Sequence, residues 1–128
     1  MKATELMIGD WVNSDFGIFQ INEIFEDAVR DNGGNDYEFD CISPILLTGE
    51  ILKNNGFKHL DISSPKDTIN RFVWRYSTDS QNIDLSYNKW TKDYMLESFR
   101  IHVFPIIYVH ELQHALRMGK IEKEIELC

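Results

Sequence analysis

The feature that most constrains the fold is a change of hydrophobic period along the chain. Residues 72–76, 83–87 and 99–103 place aromatic or aliphatic side chains at every second position. A period of two is typical of a β-strand, whose side chains point alternately to the two faces of a sheet. Since polar turns separate the three runs, the sequence predicts an antiparallel meander in the middle of the chain.

The pattern becomes helical near the end. Pro105 can begin a helix, because the first N–H of a helix needs no partner, and Gly119 can end it. Projected at about 100° per residue, one side of this helix is apolar and is formed by Tyr108, Val109, Leu112, Ala115 and Leu116. The other side is predicted to face solvent and carries His110, Gln113, His114 and Arg117. Over 121–127, aliphatic residues alternate with charged ones, which predicts a final strand.

The first third of the chain favours short strands joined by turns. Strand-like segments occupy 9–12, 18–24 and 37–42, and a polar stretch at 31–36 is typical of a turn. By analogy with Gly-Asp-Trp-Val openings in other proteins, this part is similar to a small curved sheet of the SH3-like kind. The sequence therefore predicts two or more short antiparallel strands here.

A short central helix is predicted between Thr48, whose hydroxyl can cap its first turn, and Gly56, which can end it. Together these elements predict an α+β fold. It consists of an antiparallel β-sheet with an SH3-like N-terminal part, the short central helix, and the C-terminal helix followed by a final strand. Since no long linker divides the chain, we expect 1–128 to form a single domain.

The cysteines and the apolar stretches of the sequence indicate where in the cell the protein is expected. Cys41 and Cys128 match no metal-binding or redox spacing and are expected to be reduced thiols, the alternative being one disulfide in an exported protein. No apolar stretch approaches the ~20 residues of a membrane span, and the start of the chain lacks a signal-peptide pattern. We therefore expect a cytoplasmic protein without a membrane partner.

The charge balance disfavours nucleic acid as a partner. The chain carries 21 acidic and 13 basic side chains, for a net charge of −8. Phosphate backbones are bound largely through clustered Lys and Arg, which this chain spreads along its length. The acidic surplus is interpreted mainly as a source of solubility, with imitation of DNA as an alternative.

One motif resembles catalytic chemistry. Residues 110–114 spell H-E-x-x-H on the predicted helix, which places His110 and His114 one turn apart with Glu111 beside the first. In zinc peptidases two such histidines bind the metal and the glutamate activates its water. A zinc-dependent hydrolase is therefore one hypothesis, with His110 and His114 as metal ligands and Glu111 as the catalytic residue.

Other features oppose the zinc hypothesis. A catalytic zinc needs a third protein ligand, and Arg117 and Lys120 occupy the positions where the extended motif has Gly and His. Arg117 also brings a fixed positive charge to the face of the histidines. The alternative is a solvated helix face with no metal, and on that interpretation the protein has no catalytic residue and no cofactor.

Three segments carry a resemblance to known proteins. The segments 5–12 (ELMIGDWV), 42–52 (ISPILLTGEIL) and 108–113 (YVHELQ) resemble those of small uncharacterised proteins from Bacteroides-type bacteria and their phages. The resemblance implies a mobile-element or phage origin. It also implies that His114 is often Asn in such proteins and Glu111 sometimes Gln, so that the complete H-E-x-x-H would belong to one branch.

Two functions from different classes remain after this reasoning. The first is a non-catalytic protein-interaction or accessory module of mobile-element or phage origin, acting on a protein partner. The second is the zinc-dependent hydrolase. The sequence favours the first because its catalytic motif lacks a third ligand and its charge disfavours nucleic acid.

The charge leads to a direct prediction. Fluorescence anisotropy with labelled single- and double-stranded DNA at physiological salt should detect no binding tighter than about 1 μM, because few phosphates can be neutralised. Tighter binding that weakens steeply as salt is raised would contradict it.

Overall fold

The computed structural model describes residues 1–62, 71–79, 82–88, 90–96 and 105–127. The chain divides into two compact units. One is formed by Met1–Leu46 together with Tyr108–Cys128, and the other by Leu47–Ile107. The predicted mixed α+β class is confirmed, because antiparallel sheets and helices both occur. The single domain over 1–128 and the SH3-like character stay predictions.

The first unit contains two three-stranded antiparallel sheets. One has the order β2-β1-β6, with β1 at Trp11–Ser14, β2 at Gly17–Gln20 and β6 at Ile42–Ser43. The other has the order β3-β4-β5, with β3 at Glu23–Ile24, β4 at Ala28–Arg30 and β5 at Asp36–Glu38. The core cluster of this unit contains Val12, Val29 and Ile42 from the strands, together with Leu6 and Ile21 from the segments between elements.

The predicted strand at 18–24 is two strands in the structure. Ile21 breaks it, because its N–H donates to the carbonyl of Asp10 at 2.8 Å and its carbonyl accepts from Gly9 at 2.7 Å. The predicted strand at 37–42 is also interrupted, by a 3-10 turn over Phe39–Cys41.

The predicted turn at 31–36 is confirmed. Asp31 Oδ1 accepts hydrogen bonds from the N–H groups of Gly33 and Asn35, each at 2.9 Å. Gly34 has a φ of +83°, a left-handed conformation that glycine adopts at little cost. This turn joins β4 to β5 and fixes their antiparallel pairing.

The second unit begins with the predicted central helix. Helix α1 spans Gly49–Asn54, and Thr48 Oγ1 caps it by accepting from the N–H of Ile51 at 3.3 Å. Gly56 follows with a φ of +87°. Both predicted ends of this helix are therefore confirmed.

A five-stranded antiparallel meander follows, with the order β11-β10-β9-β8-β7. Its strands are β7 at Lys58–Ile62, β8 at Arg71–Ser77, β9 at Asn82–Asn88, β10 at Asp93–Leu96 and β11 at Pro105–Ile106. The predicted strands at 72–76 and 83–87 are confirmed, and the one at 99–103 lies outside the described residues. A salt bridge of 2.7 Å between Arg75 and Asp84 joins β8 to β9.

The C-terminal helix is shorter than predicted. Helix α2 spans Val109–Met118, whereas Pro105 lies in β11 opposite Met95. Two β-branched residues follow Pro105 and favour an extended chain, so the helix begins only where Glu111 Oε1 can accept from the N–H of Tyr108, at 2.9 Å.

No helix in the described part of the chain is long and apolar enough to cross a membrane.

The predicted sides of α2 are only partly right. Leu112 and Leu116 are buried as expected. Gln113, expected to be exposed, has only 2% of its surface accessible. Its burial is explained by two hydrogen bonds to the C-terminal segment, since Nε2 donates to Lys123 O at 3.0 Å and Oε1 accepts from Ile125 N at 2.7 Å.

The prediction of a final strand is wrong, although the predicted alternation of buried and exposed side chains is right. Residues 121–127 form no strand, yet Ile121 and Ile125 are buried while Glu122, Glu124 and Glu126 are exposed. The Gln113 amide supplies the hydrogen bonds that a neighbouring strand would have supplied. The Trp11 indole adds another, donating to Ile125 O at 2.7 Å.

The buried amide leads to a stability prediction. Gln113→Ala should lower the free energy of unfolding by about 2–4 kcal/mol, because a buried carbonyl and a buried N–H lose their partners. The control Glu122→Ala, at an exposed position, should change it by less than about 0.5 kcal/mol. Urea unfolding of the two variants is the measurement, and equal small effects would contradict the role of Gln113.

Candidate functional site

A buried carboxylate lies beside the H-E-x-x-H helix. Asp10 precedes β1 and has 0% of its surface exposed. Its Oδ2 accepts a hydrogen bond from the N–H of Met7 at 2.7 Å, which closes a tight turn. The same oxygen lies 2.6 Å from Nε2 of His114, on α2. The Asp10 side chain therefore joins the turn before β1 to helix α2.

The proton in the Asp10–His114 hydrogen bond can be assigned from the chemistry of the groups. An ionised carboxylate can only accept, so Nε2 of His114 is the donor. The His114 side chain is 23% exposed, so this imidazole lies between the buried carboxylate and solvent.

Arg117 completes the charge balance around Asp10. Its Nη1 lies 3.8 Å from Asp10 Oδ1, which has no hydrogen-bond partner among the described residues. Its Nη2 also lies 3.3 Å from Oε2 of Glu124. The approach requires a glycine nearby, since Gly9 has a φ of +93° and a Cβ there would lie 2.6 Å from Arg117 Nη2.

His110 occupies a different environment from the one predicted. It is 5% exposed and its Nδ1 has no hydrogen-bond partner among the described residues. Its ring lies parallel to Tyr108, with centroids 5.9 Å apart, and edge-on to His114 at 5.6 Å. Burial lowers the pKa of His110, and the neighbouring Asp10 carboxylate opposes that shift. The predicted solvated face carrying two histidines is therefore wrong for His110.

The structure gives Glu111 and His114 roles within the fold. Glu111 accepts from the N–H of Tyr108 and so caps its own helix. A zinc ion on Nε2 of His114 would have to replace the hydrogen bond to Asp10. No three His, Cys, Asp or Glu side chains are grouped as metal ligands within the ranges that the structure describes. The geometry therefore supplies a buried Asp10 carboxylate paired with a partly exposed His114, and no third ligand beside the motif among the described residues.

An open cleft lies between the β1–β2 turn and β5 in the first unit. It has a volume of about 590 Å³. The β1–β2 turn contributes Phe16, which is 90% exposed, and β5 contributes Tyr37. The complete lining is Ser14, Asp15, Phe16, Asn35, Asp36, Tyr37, Glu38 and Cys41.

The cleft lining is acidic, and its acidic groups differ in how they are paired. Asp36 forms a salt bridge of 2.7 Å with Arg30, and this hydrogen bond lowers the pKa of Asp36. Asp15 and Glu38 are exposed and form no ion pair with any residue that the structure describes. The cleft thus presents two unpaired carboxylates beside an exposed phenylalanine.

Comparison of the chain with protein-family models, with curated proteins and with solved structures finds no match. The functional argument therefore depends on the geometry of the described residues. The resemblance to proteins of Bacteroides-type bacteria and their phages stays a prediction.

Sequence reasoning missed the partner of His114. Asp10 is 104 positions away, and nothing in the spacing joins it to α2. The only signal in the sequence was that Asp10 lies between Gly9 and an apolar strand. A carboxylate in such a position is costly to bury, so its burial would have implied a partner. The cleft was also missed, because Phe16 and Glu38 meet only after the two hairpins fold.

The lowered pKa of His110 leads to a prediction about pH. The unfolded chain binds a proton at this histidine near the ordinary value of about 6.5, whereas the folded chain does so only at lower pH. The free energy of unfolding should therefore fall as pH drops below about 6.5, through the lower folded pKa. His110→Gln should remove this part of the slope between pH 7.5 and 5.5 in urea unfolding, and identical slopes in both proteins would contradict it.

Proposed function

We propose that this protein is a non-catalytic protein-interaction module, and that the cleft between the β1–β2 turn and β5 is its contact surface. The observation that carries the proposal is the exposure of Phe16 at the mouth of an open cleft. A phenylalanine that is 90% exposed buries almost nothing in the isolated chain, and its burial against a partner would be favourable.

Further apolar side chains are exposed on the same unit. Ile18 follows Phe16 on the β1–β2 hairpin and is 43% exposed, and Met7, Ile8 and Phe25 are also exposed. Aromatic and aliphatic anchors beside a polar rim are the usual composition of a protein interface. This supports a protein partner in preference to a small polar ligand.

The contacts of the H-E-x-x-H residues support a non-catalytic module. Glu111 is used as a helix cap and His114 as a partner of Asp10, which are both roles in holding the fold. Under this proposal the protein acts in the cytoplasm as an accessory protein of phage or mobile-element origin, and it does not bind nucleic acid.

The proposal is tested by affinity capture. The immobilised wild-type protein should retain a specific protein from a lysate of its host, identified by mass spectrometry. The double variant Phe16→Ser, Ile18→Thr should lose that protein, because the removed side chains are exposed and contribute little to the fold. Met118→Ser, which removes another exposed apolar side chain at the end of α2, should retain it.

Two results would contradict the proposal. One is the absence of any retained protein that differs between wild type and the double variant. The other is near-stoichiometric zinc in protein purified without chelator, together with a hydrolase activity that Glu111→Gln abolishes. That second result would favour the zinc-dependent hydrolase.

A further inference from the structure

Strand β5 is an edge strand in the described part of the chain, since it pairs only with β4. The carbonyls of Ala28 and Arg30 accept from the N–H groups of Phe25 and Asn22, so on β4 these residues face β3. In an antiparallel ladder the residues opposite them, Glu38 and Asp36, then direct their N–H groups away from β4. The free edge of β5 thus offers backbone donors at two alternate positions.

The side chains beside this edge form an acidic strip. Asp36 and Glu38 lie on one face of β5 because they are two residues apart. A second, smaller cleft of about 300 Å³ adjoins the first through Glu38, and it is lined by Asp27, Glu38, Phe39 and Asp40. Among the described residues, neither lining contains a lysine or an arginine. The two clefts together carry five carboxylates along an extended path.

Two cations adjoin the clefts, and both are engaged: the Met1 ammonium donates to the carbonyl of Phe39 at 2.9 Å, and Arg30 is paired with Asp36. Arg30 binds Asp36 through two hydrogen bonds of 2.7 and 3.3 Å, lies 3.6 Å from Glu23, and stacks over the Phe25 ring at 4.7 Å. It leaves the charges of Asp15 and Glu38 unpaired. An incoming cation would therefore meet net negative charge and would find the face of Phe16 open beside it.

We propose that the edge of β5 and the two adjoining clefts bind an extended, arginine- or lysine-rich segment of a partner protein, which adds to the sheet as a further strand. The charge of the clefts selects the cationic side chains, and the backbone groups of Asp36 and Glu38 select an extended peptide over a compact cation. Alternate side chains of the added strand lie beside Asp36 and Glu38 on the same face of the sheet. The Phe16 ring contacts one of these added side chains. This inference rests on the proposed function and names the chemistry of the partner.

The test uses four probes in fluorescence-anisotropy and competition titrations. They are a short peptide in which arginine alternates with valine, its glutamate–valine counterpart, the arginine–valine peptide N-methylated at alternate amides, and spermine. The first peptide should bind with a Kd below about 100 μM, and the other three should bind at least about 10-fold more weakly because each lacks the charge or the backbone donors and acceptors.

Variants locate the binding on the protein. Asp15→Asn with Glu38→Gln should weaken the arginine–valine peptide by about 3- to 30-fold, since two exposed charge pairs are lost. The matched control Glu122→Gln removes an exposed carboxylate elsewhere in the same unit and should leave the Kd unchanged. Circular dichroism and thermal melts of each variant confirm that the fold is retained.

Each other result overturns the inference. Equal binding of spermine or of the N-methylated peptide would mean that a bare acidic patch binds cations without strand addition. Binding that is insensitive to the two substitutions would place the peptide elsewhere, and no binding would exclude the partner class. If affinity capture still retains a protein through Phe16 while the peptides fail, the proposed function stands and only the cationic strand is wrong.

Discussion

The contact on which the first unit depends is the burial of the Asp10 carboxylate. A buried charge is costly unless hydrogen bonds and an opposite charge compensate it. Asp10 receives one bond from Met7 in its own turn and one from His114 on α2, with the Arg117 guanidinium 3.8 Å away. Because these partners come from the two ends of the chain, the carboxylate is compensated only when the N-terminal turn and α2 are both in place. Removal of His114 or Arg117 would therefore destabilise the folded first unit, because the Asp10 carboxylate would lose a partner.

The C-terminal segment at 121–127 is also held by a buried polar side chain, in this case the amide of Gln113. Gln113 is buried and bonds to both Lys123 and Ile125, while Trp11 bonds to Ile125 from β1. A side-chain amide has a donor and an acceptor spaced like those of a peptide group, so it can take the place of a neighbouring strand. Gln113 thus attaches the segment at 121–127 to α2, and the predicted solvated side of the helix is buried at His110 and Gln113 and only partly exposed at His114 and Arg117.

Local patterns predicted the local structure well. Thr48 and Gly56 gave the ends of α1, and the alternation at 83–87 gave a strand, because caps and periods depend on neighbours in sequence. The errors fall where a distant partner decides the outcome. Pro105, predicted to open a helix, lies in a strand opposite Met95. The H-E-x-x-H motif has the spacing of a zinc site, but spacing does not reveal that Asp10 lies beside His114. The cleft could not be predicted at all, since it is formed by two hairpins that the sequence does not place relative to each other.

The buried Asp10 pair and the cleft beside β5 use different residues of the first unit. On α2, Glu111 and His114 of the H-E-x-x-H motif form hydrogen bonds that hold the fold, while in the cleft beside β5 the carboxylates of Asp15 and Glu38 form no ion pair within the described part of the chain and Phe16 is exposed. The most direct measurement is a titration of ¹⁵N-labelled protein with the arginine–valine peptide, followed by amide chemical shifts. The account predicts shifts concentrated in residues 14–16 and 35–41, with those of 109–118 unchanged. Shifts confined to 109–118, or none at saturating peptide, would contradict it.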